Sequence, residues 1–193
     1  FRLKHHDQAI EAQNHALQLS LYLSLPAAMG LFCLALPIVT VLFEREAFTH
    51  EATTATVMTL RTMTLGLPAY VLVKIFTTSF FANQDTKTPL YTAIGSMIAD
   101  VTLSLALIGP FKHIGIAFAS ILASWFNTIA LAIILYKRRL FVINQEMRRF
   151  IRWILLITFV TGFFLIALTN LISAWKEEWL PIQIVTLAGF IIV

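Results

Sequence analysis

The sequence has few of the residues that build secreted domains and soluble enzymes. Charged residues make up only 12% of its 193 positions, and Cys33 is its one cysteine. One cysteine cannot form a disulfide within the chain, so we expect Cys33 to be a small buried hydrophobic residue. A secretory signal peptide has a charged segment, an apolar segment and a cleavage site in that order. The first residues lack this order, so we do not expect them to be a signal peptide.

Motifs for catalysis are also missing. The sequence contains no glycine-rich phosphate loop, no cysteine–histidine spacing for a metal and no nucleophile motif. Its five histidines are scattered or lie among the polar first residues, where solvated or interfacial positions are expected. The sequence therefore predicts a protein that is not an enzyme.

Apolar residues are abundant, at 59% of the chain, which is too many for one soluble domain of this length. The fold is therefore predicted to lie in lipid. A formal net charge of +4 is compatible with a nucleic-acid partner, but the positions of the basic residues argue against one. Six basic residues flank two long apolar segments, as they do on the cytoplasmic side of a membrane: Lys137, Arg138, Arg139, Arg148, Arg149 and Arg152.

Six segments are candidates for membrane spans, because a spanning helix needs about 20 mostly apolar residues. They cover residues 17–43, 57–82, 90–109, 114–136, 150–172 and 180–193. The sequence predicts an all-α fold, a polytopic transmembrane helical bundle. Its last span is shorter than the membrane is thick, so we expect the natural chain to be longer.

The polar stretches predict the organisation and the orientation of the chain. Residues 1–16 are expected to form a cytoplasmic interfacial helix, 17–136 to carry four spans, 137–149 to form a basic loop, and 150–193 to carry two more spans. Lysine and arginine favour one side of the membrane: Arg2, Lys4, Lys87 and the six clustered residues lie there, against Arg45, Lys112 and Lys176 on the other side. The richer side, with residues 1–16, 83–89 and 137–149, is predicted to be cytoplasmic.

Three ionisable residues lie within the predicted spans, where a charge costs about 2.5 to 3.5 kcal/mol at the bilayer centre. Lys74 and Asp100 are deep in spans two and three, and Arg61 lies about one turn inside span two. Each is a candidate to face a cavity. The alternatives are an interfacial anchor for Arg61, extension of Lys74 to the headgroups, and a structural hydrogen bond to a neighbouring helix for Asp100.

Polar atoms of two neighbouring spans are predicted to meet at Asp100. Asp100 and Ser104 are four residues apart, as are Ile116 and Ser120, so each pair shares a helical face. A turn centred near Lys112 places Ser104 and Ser120 at equal depth. A carboxylate, two hydroxyls and the Ile116 carbonyl form a hard oxygen set that suits a small cation, although serines at such positions also serve close helix packing.

Several motifs resemble one family of membrane proteins. The outer loop reads LFEREAFT at residues 42–49, where Glu46 replaces a usual glycine, and GLPAYVLVK follows at 66–74. FFA at 80–82 and QDTKTP at 84–89 continue the series, and IGPFKHIG at 108–115 fits the same register. The chain resembles the MurJ (MviN) lipid II flippase family of the multidrug/oligosaccharidyl-lipid/polysaccharide exporter superfamily.

The resemblance implies a 14-span flippase, of which this chain would hold spans 9 to 14, with a groove for the lipid tail at the last two. It implies a sodium site at Asp100, Ser104, Ser120 and the Ile116 carbonyl, completed by a span outside this chain; Na⁺ is the one cofactor implied. Span 11 corresponds to the third span of this chain, where the carboxylate of Asp100 comes first and Ser104 follows. Family members with the site have an amide first on this span and then a carboxylate. Lys74, with Arg61, is the candidate for binding the substrate's phosphates.

The implied function is transport of lipid II, without covalent chemistry, from the inner to the outer leaflet of the bacterial inner membrane. Expected partners are lipid II and membrane lipids, and the protein is expected to be a monomer acting with the rest of its own chain. Two alternatives stay open: a cation-coupled drug or polysaccharide exporter of the same superfamily, and a non-transporting membrane scaffold of envelope assembly.

Overall fold

The computed structural model describes residues 2–43, 50–142 and 144–174, and the regular secondary structure in these ranges is helical. The all-α class predicted from composition is therefore confirmed. The helices are α1 (Arg2–Phe43), α2 (His50–Thr64), α3 (Leu67–Ala82), α4 (Lys87–Lys137) and α5 (Gln145–Ala174).

Five segments of the described chain are long and apolar enough to cross a membrane. They match the first five predicted spans, with α2 and α3 together making the second. The sixth predicted span, residues 180–193, lies outside the described residues. The five segments are Ile10–Phe43, Glu51–Ala82, Lys87–Phe111, Ile114–Lys137 and Gln145–Thr169.

Two helices extend beyond the predicted spans. Helix α1 runs without a break from the segment 1–16 into the first span, and Leu17 is buried at the junction. Within the segment predicted as a basic loop, 137–149, α5 already begins at Gln145. The main-chain carbonyl of Asn144 accepts from the Arg148 N–H at 3.1 Å, and Met147 is anchored in the core at 3% exposure.

Helix α4 reverses direction within its length and forms two antiparallel arms. Ser120 and Asp100 form a hydrogen bond although a straight helix would separate them by about 30 Å. The reversal requires a glycine on the second arm. A Cβ atom at Gly115 would lie 2.4 Å from the Leu107 carbonyl oxygen, which is shorter than any normal contact.

Side chains of α4 donate to two main-chain carbonyls at and just after the break between α2 and α3, inside a predicted span. The indole Nε1–H of Trp125 donates to the Leu65 carbonyl at 3.2 Å, and the Thr128 hydroxyl reaches the Ala69 carbonyl at 3.2 Å. Pro68 lies in the first turn of α3, where the missing N–H costs nothing. The second span is thus broken but hydrogen-bonded.

Helix α1 is central and packs against α2, α3 and α5. At one end of the bundle it meets α3, α4 and α5 in an apolar cluster formed by Leu17, Phe76, Phe80, Leu131, Leu135 and Met147. At the other end it packs on α2 through Ala35, Val39 and Val57. Gly162 allows α5 to approach α1 closely, because a Cβ there would lie 2.8 Å from the Met29 sulfur.

The three segments predicted to be cytoplasmic lie together at one end of the bundle. Asn14 Nδ2 donates to the Val142 carbonyl at 3.3 Å, joining the start of α1 to the α4–α5 connection. An ion pair between Arg138 and Asp85 joins that connection to the α3–α4 turn. We call this the basic end of the bundle, because it carries the six clustered basic residues of 137–152.

Substituting Gly115 by alanine is expected to destabilise the α4 reversal by about 2 kcal/mol or more, because the new methyl group meets main-chain atoms rather than a movable side chain. The measurement is thermal unfolding of the full-length protein in detergent. Gly109→Ala is the matched control at the same reversal, since a Cβ at Gly109 meets nothing within 4 Å. Equal melting temperatures for the two variants would contradict this account of the turn.

Candidate functional site

The two arms of α4 bring Asp100, Ser104 and Ser120 together as the spacing predicts. The Ser120 hydroxyl donates to Asp100 Oδ1 at 3.0 Å across the arms, and the Ser104 hydroxyl approaches the same oxygen at 3.4 Å. All three side chains are partly buried. We call these three residues the carboxylate–serine site.

The fourth predicted member, Ile116, lies one helical turn before Ser120 with its side chain 42% exposed. No hydrogen bond joins it to Asp100 among the described residues. Within the same residues no group of three histidine, cysteine or acidic side chains is arranged to hold a metal. The site therefore offers one carboxylate and two hydroxyls, a set of hard oxygen atoms with a single negative charge.

Lys74 is exposed on α3, on a face that carries other polar groups. Tyr70, one turn before it, is 41% exposed, and Thr78, one turn after it, is also exposed. The Thr78 hydroxyl donates to the Lys74 main-chain carbonyl at 2.8 Å. Lys74 is eight residues before the end of α3 at Ala82, or about 12 Å of helical rise, so this cation is well within the span.

Arg61 lies apart from the other two candidates and is engaged with α1. Its Nε donates to the Phe32 carbonyl at 3.2 Å, and its guanidinium carbon lies 5.7 Å from the centre of the Phe32 ring. Pro37 lies five residues after Phe32 in α1. In this conformation the contacts of Arg61 link α2 to α1.

A further polar cluster lies in the α3–α4 turn. Asp85 accepts from the main-chain N–H groups of Lys87 and Thr88 at 3.1 and 3.0 Å, from the Thr88 hydroxyl at 2.6 Å, and from Arg138. The Thr88 side-chain hydrogen bond, then its main-chain N–H, then Arg138, hold the pKa of Asp85 well below its usual range. The cluster ties the first turn of α4 to its last.

The contacts of Arg138 are not evident from the sequence. Its guanidinium lies 5.6 Å from the centre of the Phe80 ring and also donates to the Thr88 hydroxyl at 3.0 Å. In the sequence it is one of six basic residues near the membrane, and composition cannot separate a residue that joins two helix ends from its neighbours.

Five apolar segments of membrane-spanning length in the described chain, with polar side chains at membrane depth, define a multi-pass helical membrane protein. A family model described as Lipid II flippase MurJ matches residues 1–188. The chain belongs to this family, and it is a multi-pass protein of the bacterial inner membrane.

Curated relatives agree with this assignment. The chain is 36% identical to a probable lipid II flippase MurJ of Rhizobium tropici, over 86% of the chain and 31% of that relative. It is 44% identical to the Rickettsia prowazekii protein of the same description, over 62% of the chain and 24% of the relative. The chain thus spans between a quarter and a third of these relatives.

A solved structure shares the fold. A lipid II flippase MurJ in an inward closed conformation superimposes with a TM-score of 0.65 at 24% identity, over 86% of this chain and 39% of that one. The similarity supports the helical arrangement of α1 to α5.

Replacing Ser120 by alanine is expected to destabilise the α4 hairpin by about 1 kcal/mol, because Asp100 loses its nearer hydroxyl donor across the arms. Ser104→Ala should cost less, since its contact is longer and within one arm. Ser124→Ala is the control, because that hydroxyl donates to a main-chain carbonyl of its own arm. Thermal unfolding of the full-length variants measures the order, and equal effects of Ser120→Ala and Ser124→Ala would contradict it.

Acidification is expected to weaken the α3–α4 turn through Asp85. Its folded pKa lies below the unfolded value, so its contribution is present above about pH 4 and is lost as the pH falls through the folded pKa. Thermal unfolding between pH 7 and pH 3 should therefore show a steeper acid-side loss in the parent than in Asp85→Asn. Identical pH slopes for the two proteins would contradict the assigned role.

Proposed function

We propose that this chain is the C-terminal helical bundle of a lipid II flippase, which moves a lipid-linked cell-wall precursor from the cytoplasmic to the outer leaflet. The process involves no covalent chemistry, and the protein acts as a monomer with the rest of its own chain. Family membership over residues 1–188 supports the assignment, as does the description shared by its curated relatives. Its partners are lipid II and the surrounding lipids.

The observation that carries the proposal is the exposure of Lys74 at membrane depth. An exposed ammonium group facing acyl chains would cost about 2.5 to 3.5 kcal/mol, whereas a face lining an aqueous path carries no such cost. Tyr70 and Thr78 make the same face of α3 polar. We propose that this face lines the path of the headgroup, and that Lys74 attracts its phosphate charge.

Arg61 remains a second candidate for the substrate's phosphates. Its bond to the Phe32 carbonyl and its contact with the Phe32 ring favour a supporting role in the conformation described. For Arg61 to bind a phosphate, its contacts with α1 would have to rearrange during transport.

The carboxylate–serine site is the candidate for a coupling ion, and the residues fit Na⁺ in kind. Asp100 supplies the negative charge, and the hydroxyl oxygens of Ser104 and Ser120 keep lone pairs while donating to it. The Ile116 carbonyl would add a fourth oxygen. A bound cation would neutralise the carboxylate at membrane depth, and release of the cation would restore the charge, so ion binding and helix position would be coupled.

The two alternative functions require different features of the chain. A drug exporter of twelve helices would lack the spans that follow α4, and the described chain has α5 there. A scaffold protein of envelope assembly would need neither Lys74 nor Asp100.

Lys74→Ala in the full-length protein is expected to reduce lipid II translocation at least tenfold, because the path loses its cation, and Lys74→Arg should retain part of it. The measurement is complementation of a flippase-depleted strain, scored by accessibility of lipid II at the outer surface. Lys87→Ala is the matched control, since Lys87 is also exposed but lies at the very start of α4 and ahead of the third predicted span, 90–109.

Asp100→Ala tests the ion site in the same assay. Transport by the parent should depend on sodium, and the variant should lose that dependence together with most of the activity. Normal translocation by Lys74→Ala would remove the substrate assignment. Sodium-independent transport that Asp100→Ala leaves unchanged would remove the ion site, and full function of both variants would favour a scaffold.

A further inference from the structure

An exposed tyrosine lies near the middle of the second span, one helical turn before Lys74. Tyr70 is 41% exposed in the described bundle, and its position is close to the centre of the predicted span 57–82. Tyrosines of membrane proteins are enriched at the two interfaces with water, where the hydroxyl group is hydrated. An exposed tyrosine at mid-span is therefore unusual for a surface that faces acyl chains.

The Tyr70 hydroxyl forms no hydrogen bond with the described residues. Tyr70, Lys74 and Thr78 share one face of α3, because they are spaced four residues apart on a continuous helix. A phenol hydroxyl without a partner is costly in hydrocarbon, as is the ammonium group next to it. Two neighbouring side chains of this face thus need water or a polar ligand at the depth of the membrane centre.

The ring of Tyr70 lies against the α2–α3 break. A Cβ atom at Gly66 would lie 2.9 Å from Tyr70 Cε2, so any larger residue there would displace the ring. The Tyr70 N–H also donates to the Gly66 carbonyl at 3.0 Å. The break itself is held from α4 by the hydrogen bond between Trp125 and the Leu65 carbonyl. A ring that is already placed in this way loses little conformational entropy when it binds a ligand.

Lys74 and Tyr70 place a positive charge beside an aromatic ring. Residues four apart on a helix have Cβ atoms about 5 to 6 Å apart. Long side chains lean toward the start of their helix, so the lysine stem is expected over the turn that contains Tyr70. The tyrosine ring in turn reaches back over Gly66. A ligand of this face should therefore carry a negative charge directly beside a group that binds aromatic rings.

A glycosyl pyrophosphate has these two groups as neighbours, because its sugar is bonded to a phosphate through a single oxygen atom. Sugars pack on aromatic rings through their apolar C–H faces, and their hydroxyl groups can pair with a tyrosine hydroxyl. We infer that Tyr70 is a specificity-determining residue, which contacts the sugar next to the pyrophosphate while Lys74 attracts the phosphate charge. This inference rests on the proposed function and names the part of the headgroup that the α3 face recognises.

The experiment measures the affinity of the purified full-length protein for three undecaprenyl lipids by native mass spectrometry. They are lipid II, undecaprenyl pyrophosphate that carries a single N-acetylhexosamine, and undecaprenyl pyrophosphate without a sugar. Tyr70→Leu is expected to weaken binding of the two sugar-bearing lipids about tenfold, as loss of an aromatic contact at the centre of a binding surface does. Its affinity for the lipid without a sugar should stay unchanged.

Three further variants separate the ring, the charge and a general effect of tyrosine. Tyr70→Phe retains the ring and should keep most of the affinity for the sugar-bearing lipids. Lys74→Ala removes the cation and should weaken binding of all three lipids. Tyr136→Leu is the matched control and should change none of the affinities, since Tyr136 is 63% exposed but lies in the last turn of α4, at the basic end. The substituted side chains are exposed, so the variants are expected to fold, and their melting temperatures check it.

A loss in Tyr70→Leu that is confined to the sugar-bearing lipids, with binding retained by Tyr70→Phe, would support the inference. An equal effect of Tyr70→Leu on all three lipids, or no effect, would overturn it. A loss in Tyr70→Phe as large as that in Tyr70→Leu would overturn it as well, as would unchanged binding by Lys74→Ala. In these cases the parent still binds lipid II and the proposed function stands. A parent protein that does not bind lipid II would overturn the proposed function and the inference together.

Discussion

Every main-chain polar group that enters the membrane must find its partner within the protein, because the hydrocarbon contains no water to replace a missing hydrogen bond. The described chain meets this constraint by being helical throughout its spans and by using side chains where a helix is interrupted. At the α2–α3 break, Trp125 and Thr128 of α4 donate to carbonyls of the broken span. Arg61 of α2 also donates to a carbonyl of α1. Side-chain donors to main-chain carbonyls therefore also connect the helices.

The same constraint distinguishes the ionisable residues within the spans. Arg61 has its main contacts with one helix, and Asp100 accepts hydroxyl donors from both arms of α4. Lys74 is different, because its side chain is exposed on the surface of the described bundle. A polar side chain that the bundle does not satisfy needs water, substrate or another part of the protein. Lys74 is thus the residue most directly tied to transport in the proposed function.

The basic end of the bundle contains a rigid junction. Asp85 and Arg138 join the first turn of α4 to its last, and the buried Phe80 ring lies under the guanidinium. This connection holds the two arms of α4 in register at the end opposite their reversal. Such a pairing of charges is set by where the helices end, and net charge alone does not reveal it.

The sequence by itself determined the membrane environment, the helical class, five of the spans in the described chain and the family. These properties depend on apolar segment length, on charge distribution and on short motifs such as QDTKTP, all of which are local. It also predicted that Asp100, Ser104 and Ser120 meet, because a helical hairpin converts equal spacing from a turn into equal depth. Helix α5 begins at Gln145, ahead of the apolar residues that predict its span, because the buried Met147 anchors a first turn whose other residues are polar.

Outside the α4 hairpin, only the tertiary structure decided which polar residues are paired. Arg61 and Lys74 look alike in the sequence, as cations within one apolar stretch, yet one contacts α1 and the other is exposed. Arg138 could not be told from its basic neighbours, and its partner Asp85 lies 53 positions away in the sequence. Composition and periodicity describe a single helix, whereas the partner of a side chain depends on how separate helices pack, which no local pattern specifies.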